Sequence, residues 1–184
     1  MTILIDHLNV DRSEDPGYWY LWALDFKNTF LFLYNHEMNL LQNKPKINPD
    51  QLPPPPGHIS IQTLYFTAIE LYLKAFLLAQ KDLTVAELAS NKWSHQLIKL
   101  RKRCSDIDGD FENKELKWVI DALNKLFKKD WHLLKYPPAR SPLNKNETKT
   151  KYNQTTPGLY GREIMAPPLE FLDNKVKSLV WVED

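Results

Sequence analysis

Apolar residues recur every three or four positions along most of this 184-residue chain, and this spacing constrains the fold more than any other feature. Such intervals place side chains on one face of an α-helix, whereas a half-buried strand needs alternation at every second residue. No segment among the first 130 residues alternates in that way. The sequence therefore predicts an all-α protein.

The first predicted helix begins at Asp15–Pro16, because Asp is a favoured N-cap and Pro is tolerated at the first helical position. It ends before Lys44–Pro45, where a proline-rich connection follows. The four consecutive prolines in that connection favour a stiff spacer over a docking motif for polyproline readers. The apolar face of the first helix is expected to comprise Trp19, Trp22, Phe26, Phe30, Leu33, Leu40 and Leu41.

Further helices are predicted along the rest of the chain. The second runs from about Ser60 to Lys81, and a capping box at Thr84–Glu87 starts a short helix or turn. The third begins near Trp93, and the fourth covers about Asn113 to Lys129. A long irregular loop over 137–167 precedes a C-terminal helix over 168–181. We expect one domain over residues 1–184, an up-and-down bundle of four to five helices with its core at about 15–138.

Charge and cysteine content exclude several classes of protein. The formal net charge is +1, with 24 basic and 23 acidic residues, so nucleic acid binding is not expected from global charge. The N-terminus lacks the basic start and apolar stretch of a signal peptide. Charged residues interrupt both of the longest apolar-rich segments, Asp25 and Lys27 in the first and Glu70 and Lys74 in the second. The single cysteine, Cys104, suits a reducing compartment. We predict a cytoplasmic protein without a membrane span.

No catalytic or metal-binding constellation is recognisable. The five histidines are scattered, and no pair of His, Cys or Glu has metal-ligand spacing, so neither a metal nor another cofactor is expected. The alternating Asp106, Asp108 and Asp110 lack the pattern of a calcium loop and predict a solvated turn. Basic neighbours would lower the pKa of Cys104, but no base that would complete a nucleophilic site is evident.

Three short motifs follow one another in the middle of the chain. Ala68–Ala75 reads AIELYLKA, Ser94–Leu97 reads SHQL, and Leu134–Pro137 reads LKYP. In order and spacing they resemble the HEPN family (higher eukaryotes and prokaryotes nucleotide-binding domains), whose pattern is A-x-E-x-x-L-K-A, then G/S-H-D/N-L, then R-Y-P. The sequence departs from that pattern at Gln96, where Asp is common, and at Lys135, where Arg is common. Lys cannot reproduce the bidentate fork of Arg.

The resemblance implies a bundle of four or five helices, commonly a two-fold homodimer. In the ribonuclease branch of that family an Arg and a His four to six residues apart meet across the dimer. None of the five arginines of this chain precedes a His at that spacing. The resemblance therefore points to the non-catalytic branch, whose members are similar to partners of minimal nucleotidyltransferases or to ligand-binding accessory domains.

We therefore expect a non-catalytic module that binds a partner protein or a small anionic ligand such as a nucleotide. The predicted site comprises Lys74, His95, Tyr136 and Arg140. Lys74 or Arg140 would supply charge to a phosphate, Tyr136 a stacking face, and His95 would orient the turn. The simpler interpretation is that Glu70 and His95 only tie helices together.

Two alternatives of other classes stay open. One is an RNA-binding protein or divergent ribonuclease, whose basic strip would combine residues 99–103 with lysines of the 144–151 loop. The strip residues are Lys99, Arg101, Lys102 and Arg103. The other is a structural scaffold that uses the proline run and the long loop as docking surfaces.

Overall fold

The computed structural model describes residues 14–42, 58–127 and 162–180, and within these ranges the chain is helical and contains no strand. The all-α prediction is thus confirmed over the described part of the chain. The described residues form five longer helices and one short helix. They are α1 (Pro16–Gln42), α2 (His58–Ala79), α3 (Val85–Ala89), α4 (Leu97–Ile107), α5 (Lys114–Phe127) and α6 (Arg162–Val180), with a 3₁₀ turn at Gly109–Glu112 between α4 and α5.

Helix α2 is the centre of the bundle and packs against α1, α4 and α6. Aromatic contacts pair Tyr72 with Tyr20 and Tyr65 with Phe30, so α1 and α2 run antiparallel. Tyr65 also donates a hydrogen bond to the carbonyl of Met165, and Tyr72 donates one to Asp173, so α6 runs parallel to α2. Residues 61–79 are apolar and long enough to cross a membrane, but 78% of that stretch is buried in the bundle.

The predicted helix boundaries have clear local causes. Asp15 caps α1, since its Oδ1 accepts a hydrogen bond of 2.8 Å from the Gly17 N–H. The capping box before α3 is confirmed: the Glu87 N–H donates to Thr84 Oγ1 over 3.3 Å, and the Thr84 N–H donates to Glu87 Oε2 over 2.8 Å. Helix α2 ends in a Schellman motif in which Lys81 adopts a left-handed φ of 54°.

The predicted apolar face of α1 is partly wrong. Trp22 is 47% exposed, whereas the buried face consists of Tyr20, Ala23, Phe30 and Tyr34. That face also has spacings of three and four, provided that Lys27 belongs to it. Lys27 does lie there, because its ammonium pairs with Asp173 of α6 at 2.7 Å. The side chains of Leu40 and Leu41 lie outside the described residues.

The last helix begins at Arg162 rather than at Pro168, so residues 162–167 of the predicted loop are helical. Pro167 and Pro168 lie inside the helix. Proline has no N–H, so the carbonyls of residues 163 and 164 lack a helical hydrogen-bond donor. Both carbonyls lie in the first turn of the helix, where Ile164 is solvent-exposed. Among the apolar residues of α6, Leu169, Leu172 and Val176 are buried, while Leu179 is 37% exposed.

Candidate functional site

Two of the three sequence motifs meet at the buried carboxylate of Glu70. Its Oε1 lies 2.7 Å from the Lys74 ammonium and accepts a 2.9 Å hydrogen bond from the His95 backbone N–H. Its Oε2 lies 2.9 Å from Nδ1 of the His95 ring. The structure thus brings together Lys74 and His95, two of the predicted site residues, and ties α2 to the turn that precedes α4.

The charges of this cluster are compensated internally. Burial alone would raise the pKa of the Glu70 carboxyl, but the hydrogen bonds from His95 and the Lys74 ammonium outweigh it and lower the pKa to about 2. Lys74 is itself buried, and its ammonium lies 5.8 Å from the centroid of the Trp19 ring. The ion pair is therefore a buried structural contact and not a surface pair.

His95 lies before α4 rather than in its first turn. The prediction of a helix from Trp93 is wrong, because residues 90–95 form turns and Gln96 is the N-cap. His95 adopts a left-handed φ of 60°, which is uncommon for a residue with a Cβ atom. Its N–H points at Glu70 in this conformation, so the buried carboxylate stabilises the strained turn.

A groove opens beside this turn, between the α2–α3 connection and α4. Its volume is about 470 Å³. Its apolar surface comes from Leu83 and Trp93, and the Lys92 ammonium lies 5.2 Å from the centroid of the Trp93 ring. The remaining lining residues are charged, namely Lys99, Lys102, Arg103 and Asp106.

The groove carries an excess of positive charge. Asp82 binds the Arg103 guanidinium through two hydrogen bonds of 2.8 and 2.6 Å, and this interaction raises the pKa of Arg103. Neither Lys99 nor Lys102 forms an ion pair with any residue that the structure describes. Four cationic side chains line the groove, and the carboxylates of Asp82, Asp106 and Glu87 lie near them, so the groove keeps a small excess of positive charge.

The predicted basic strip of the RNA alternative is only partly assembled. Lys99, Lys102 and Arg103 line the groove, but Arg101 is buried and points into the bundle. Its Nη1 donates to the Phe111 carbonyl over 3.1 Å and pairs with Glu112 at 3.0 Å. Arg101 therefore stabilises the fold and adds no charge to the strip. The lysines of the 144–151 loop lie outside the described residues.

Several other predicted features can be placed. Tyr136 and Arg140 lie outside the described residues, so their assignment stays a prediction. Cys104 is fully buried, and burial raises the pKa of its thiol, whereas its basic neighbours predicted a lowered pKa.

Lys175 pairs with Asp108 and Asp110 of the predicted acidic turn. Among the residues that the structure describes, no three potential metal ligands lie close together.

Sequence reasoning did not find the aromatic part of the groove. The signal that bears on it is the pair Lys92–Trp93, which stands directly before the SHQL motif and close to the basic run of α4.

No protein-family model, curated protein or solved structure matches this chain.

Proposed function

We propose that this chain is a HEPN-like helical module that binds a small anionic ligand such as a nucleotide, or a partner protein, without catalysing a reaction. The observation that carries the proposal is the local excess of positive charge in the groove lined by Lys99 and Lys102. The chain as a whole has a formal net charge of only +1, so this excess is a local property of one surface. An uncompensated positive groove attracts anions.

The turn at the edge of the groove supports the same proposal. Lys92 and Trp93 belong to the turn that Glu70 holds through His95. A binding surface fixed before the ligand arrives loses less conformational entropy on binding. We therefore assign Glu70, Lys74 and His95 to positioning the turn. Lys99 and Lys102 of α4, rather than Lys74, supply the positive charge.

Isothermal titration calorimetry with adenosine 5′-monophosphate and inorganic pyrophosphate tests the small-ligand proposal. The wild type is expected to bind at least one of them, and the double variant Lys99→Glu/Lys102→Glu is expected to lose that binding. Lys114→Glu/Lys117→Glu on α5 is the matched control, since both its lysines are exposed and have the same spacing. If neither probe gives a binding heat with the wild type, the small-ligand proposal is rejected.

The partner-protein part of the proposal needs a separate measurement. Native mass spectrometry of gently purified protein reports both the homodimer and any co-purifying partner, including one of the nucleotidyltransferase type. A homodimer, or a complex with one defined partner, would support it. A bare monomer across micromolar concentrations, together with no captured partner, would count against it.

A further inference from the structure

We infer that the groove between the α2–α3 connection and α4 binds a short peptide segment of a partner protein, in which an acidic side chain lies next to an apolar one. The carboxylate of that segment binds between Lys99 and Lys102, and its apolar side chain packs on Trp93 and Leu83. This assignment rests on the partner-protein part of the proposed function and deepens it, because it names the chemistry of the partner and the surface that recognises it.

Two of the four cations at the groove already have an acidic neighbour. The Asp82 carboxylate holds the Arg103 guanidinium through hydrogen bonds of 2.8 and 2.6 Å. The Lys92 ammonium interacts electrostatically with the exposed carboxylate of Glu87. The positive charge that is left to attract an anion therefore lies on α4.

The charge left on α4 matches one carboxylate. Lys99 and Lys102 are three residues apart, so both lie on one side of the helix. Neither forms an ion pair within the part of the chain that the structure describes. Asp106 also lines the groove, so two lysines and one aspartate leave an excess of one positive charge. An Asp or Glu side chain balances that excess, whereas a nucleic acid brings more negative charge than the groove neutralises.

An apolar surface lies beside the two lysines. Trp93 is half-buried, so the bundle holds its indole in place and part of the ring stays accessible, and Leu83 adds to it from the α2–α3 connection. Ile98 is 38% exposed and stands four residues before Lys102, so it adds apolar surface at the edge of the same helix face. Trp is among the residues that most often dominate binding energy at protein interfaces. An occupant that uses the whole groove therefore needs an apolar side chain next to its carboxylate.

The size of the groove suits a short segment rather than the surface of a folded domain. Seven of the described residues line it, whereas a standard protein–protein interface uses about 20–30 residues on each side. Glu70 holds the turn that carries Trp93 through its two contacts with His95, so the apolar surface is in place before the partner arrives. Small contact areas are typical of transient complexes, so the expected complex is reversible.

The test begins with a phage library of random heptapeptides that is selected on the immobilised full chain. The enriched peptides are expected to carry Asp or Glu adjacent to Trp, Phe or Leu, or one position away. The double variant Lys99→Glu/Lys102→Glu, put through the same selection, should enrich Lys or Arg at the acidic position instead, because its groove has the opposite charge. Both lysines are exposed, so this variant is expected to fold.

A synthetic copy of the most enriched peptide is then measured by calorimetry. Lys99→Glu/Lys102→Glu should weaken its binding at least about tenfold, since the carboxylate then meets two like charges. Trp93→Leu should weaken it about tenfold through loss of the aromatic anchor, and its thermal unfolding is recorded alongside to show that the variant is folded. The peptide with its acid replaced by the amide should lose affinity for the wild type but not for the double variant.

Matched controls lie on α5. Lys114→Glu/Lys117→Glu repeats the charge reversal at the same spacing, and Trp118→Leu repeats the loss of an indole that is 45% exposed and does not line the groove. Both controls should bind the peptide as the wild type does.

Two results would overturn the inference. The first is a selection that enriches no acidic–apolar peptide, or peptides that bind the groove variants as well as the wild type. Native mass spectrometry then decides separately whether the partner-protein function survives, since a defined complex that tolerates the groove variants would use another surface. The second is an RNA hexamer that binds the wild type more tightly than the best peptide and loses that binding on Lys99→Glu/Lys102→Glu, which would identify nucleic acid as the occupant.

Discussion

Glu70 and His95 are joined twice across 25 residues of sequence, by a hydrogen bond from the His95 backbone N–H and by a contact with the His95 ring, each of 2.9 Å. One buried carboxylate therefore fixes both the backbone and the side chain of the turn before α4. The same carboxylate neutralises Lys74. The stability of this region depends on the ionisation of Glu70, which can be measured.

Glu70→Gln is expected to remove stability in a pH-dependent way. The pKa of this carboxyl is about 2 in the folded protein and 4.5 in the reference state. A lowered folded-state pKa stabilises the protein above pH 4.5, and this contribution is lost as the pH falls toward 2. At about 1.4 kcal/mol per pKa unit, the wild type should exceed the variant by about 3 kcal/mol at pH 7.

Urea unfolding of both proteins at pH 7, 4 and 2.5 measures this difference. Comparing the two proteins cancels the contributions of other carboxylates, such as Asp108 and Glu112, whose pKa values are also lowered. The gap should shrink steadily toward the lowest pH. A gap that stays constant from pH 7 to 2.5 would mean that Glu70 does not titrate in the way its contacts require.

Lys81→Gly is expected to stabilise the protein. Lys81 occupies the C′ position of α2 with a φ of 54°, a conformation that glycine adopts without a steric penalty. Relief of this strain should raise the free energy of unfolding by about 0.5–1 kcal/mol, as measured by urea titration. Lys117→Gly, inside α5, should instead lower it by about 1 kcal/mol. If both changes lower the free energy of unfolding, the left-handed conformation of Lys81 does not strain the wild-type protein.

Asp173→Asn should weaken the attachment of α6. Asp173 accepts hydrogen bonds from Tyr20 and Tyr72 and pairs with Lys27, whose side chain is only 12% exposed. The amide removes the charge and leaves Lys27 uncompensated, at a cost of about 2 kcal/mol in thermal or urea unfolding. Asp25→Asn, on the exposed side of α1, should change stability by less than about 0.5 kcal/mol. Equal effects of the two changes would contradict the assignment.

Cys104 is expected to be almost inert in the folded protein. Its side chain is fully buried, so a reagent cannot reach the sulfur. Burial also raises the pKa of the thiol, so the fraction of reactive thiolate at neutral pH is small. Labelling with a maleimide at pH 7 should be at least about 100-fold slower than in urea. Ser178→Cys places a second thiol on the exposed side of α6 and should label quickly. Rapid labelling of both thiols would show that the α2–α4 interface opens readily.

Helix positions were largely predictable because their signals are local. Asp15 and the Thr84–Glu87 box act on backbone groups within three residues, so the sequence alone identifies them. The inner face of α5 was likewise predictable, since its apolar residues recur on one side of the helix and its opposite side is charged. Leu116, Val119, Ile120 and Leu123 are all buried on that side.

The failures involve tertiary contacts that no local signal in the sequence indicates. In α1, aromatic residues occur around most of the helix. The side with Tyr20 and Lys27 is the inner one because it packs on α2 and because both residues contact Asp173, more than 140 residues later. Arg101 likewise belongs to a basic run by sequence, but the Phe111 carbonyl and Glu112 bring it inside. At the candidate site the Glu70–Lys74 pair follows the i,i+4 spacing of a helix, whereas the contact of Glu70 with His95, 25 residues later, follows from no spacing rule. Trp93 lines the groove because residues 90–95 form a turn, where the sequence predicted the start of a helix.

The parallel packing of α6 on α2 has a consequence for synthesis on the ribosome. Tyr65 and Met165 contact each other across 100 residues, so the α6-facing side of α2 stays uncovered until the last helix has been translated. The α1–α2 hairpin can form early, since its two helices are neighbours in sequence. Its uncovered apolar surface would then resemble a chaperone substrate for the time needed to make about 100 further residues, which is roughly 5 to 20 seconds.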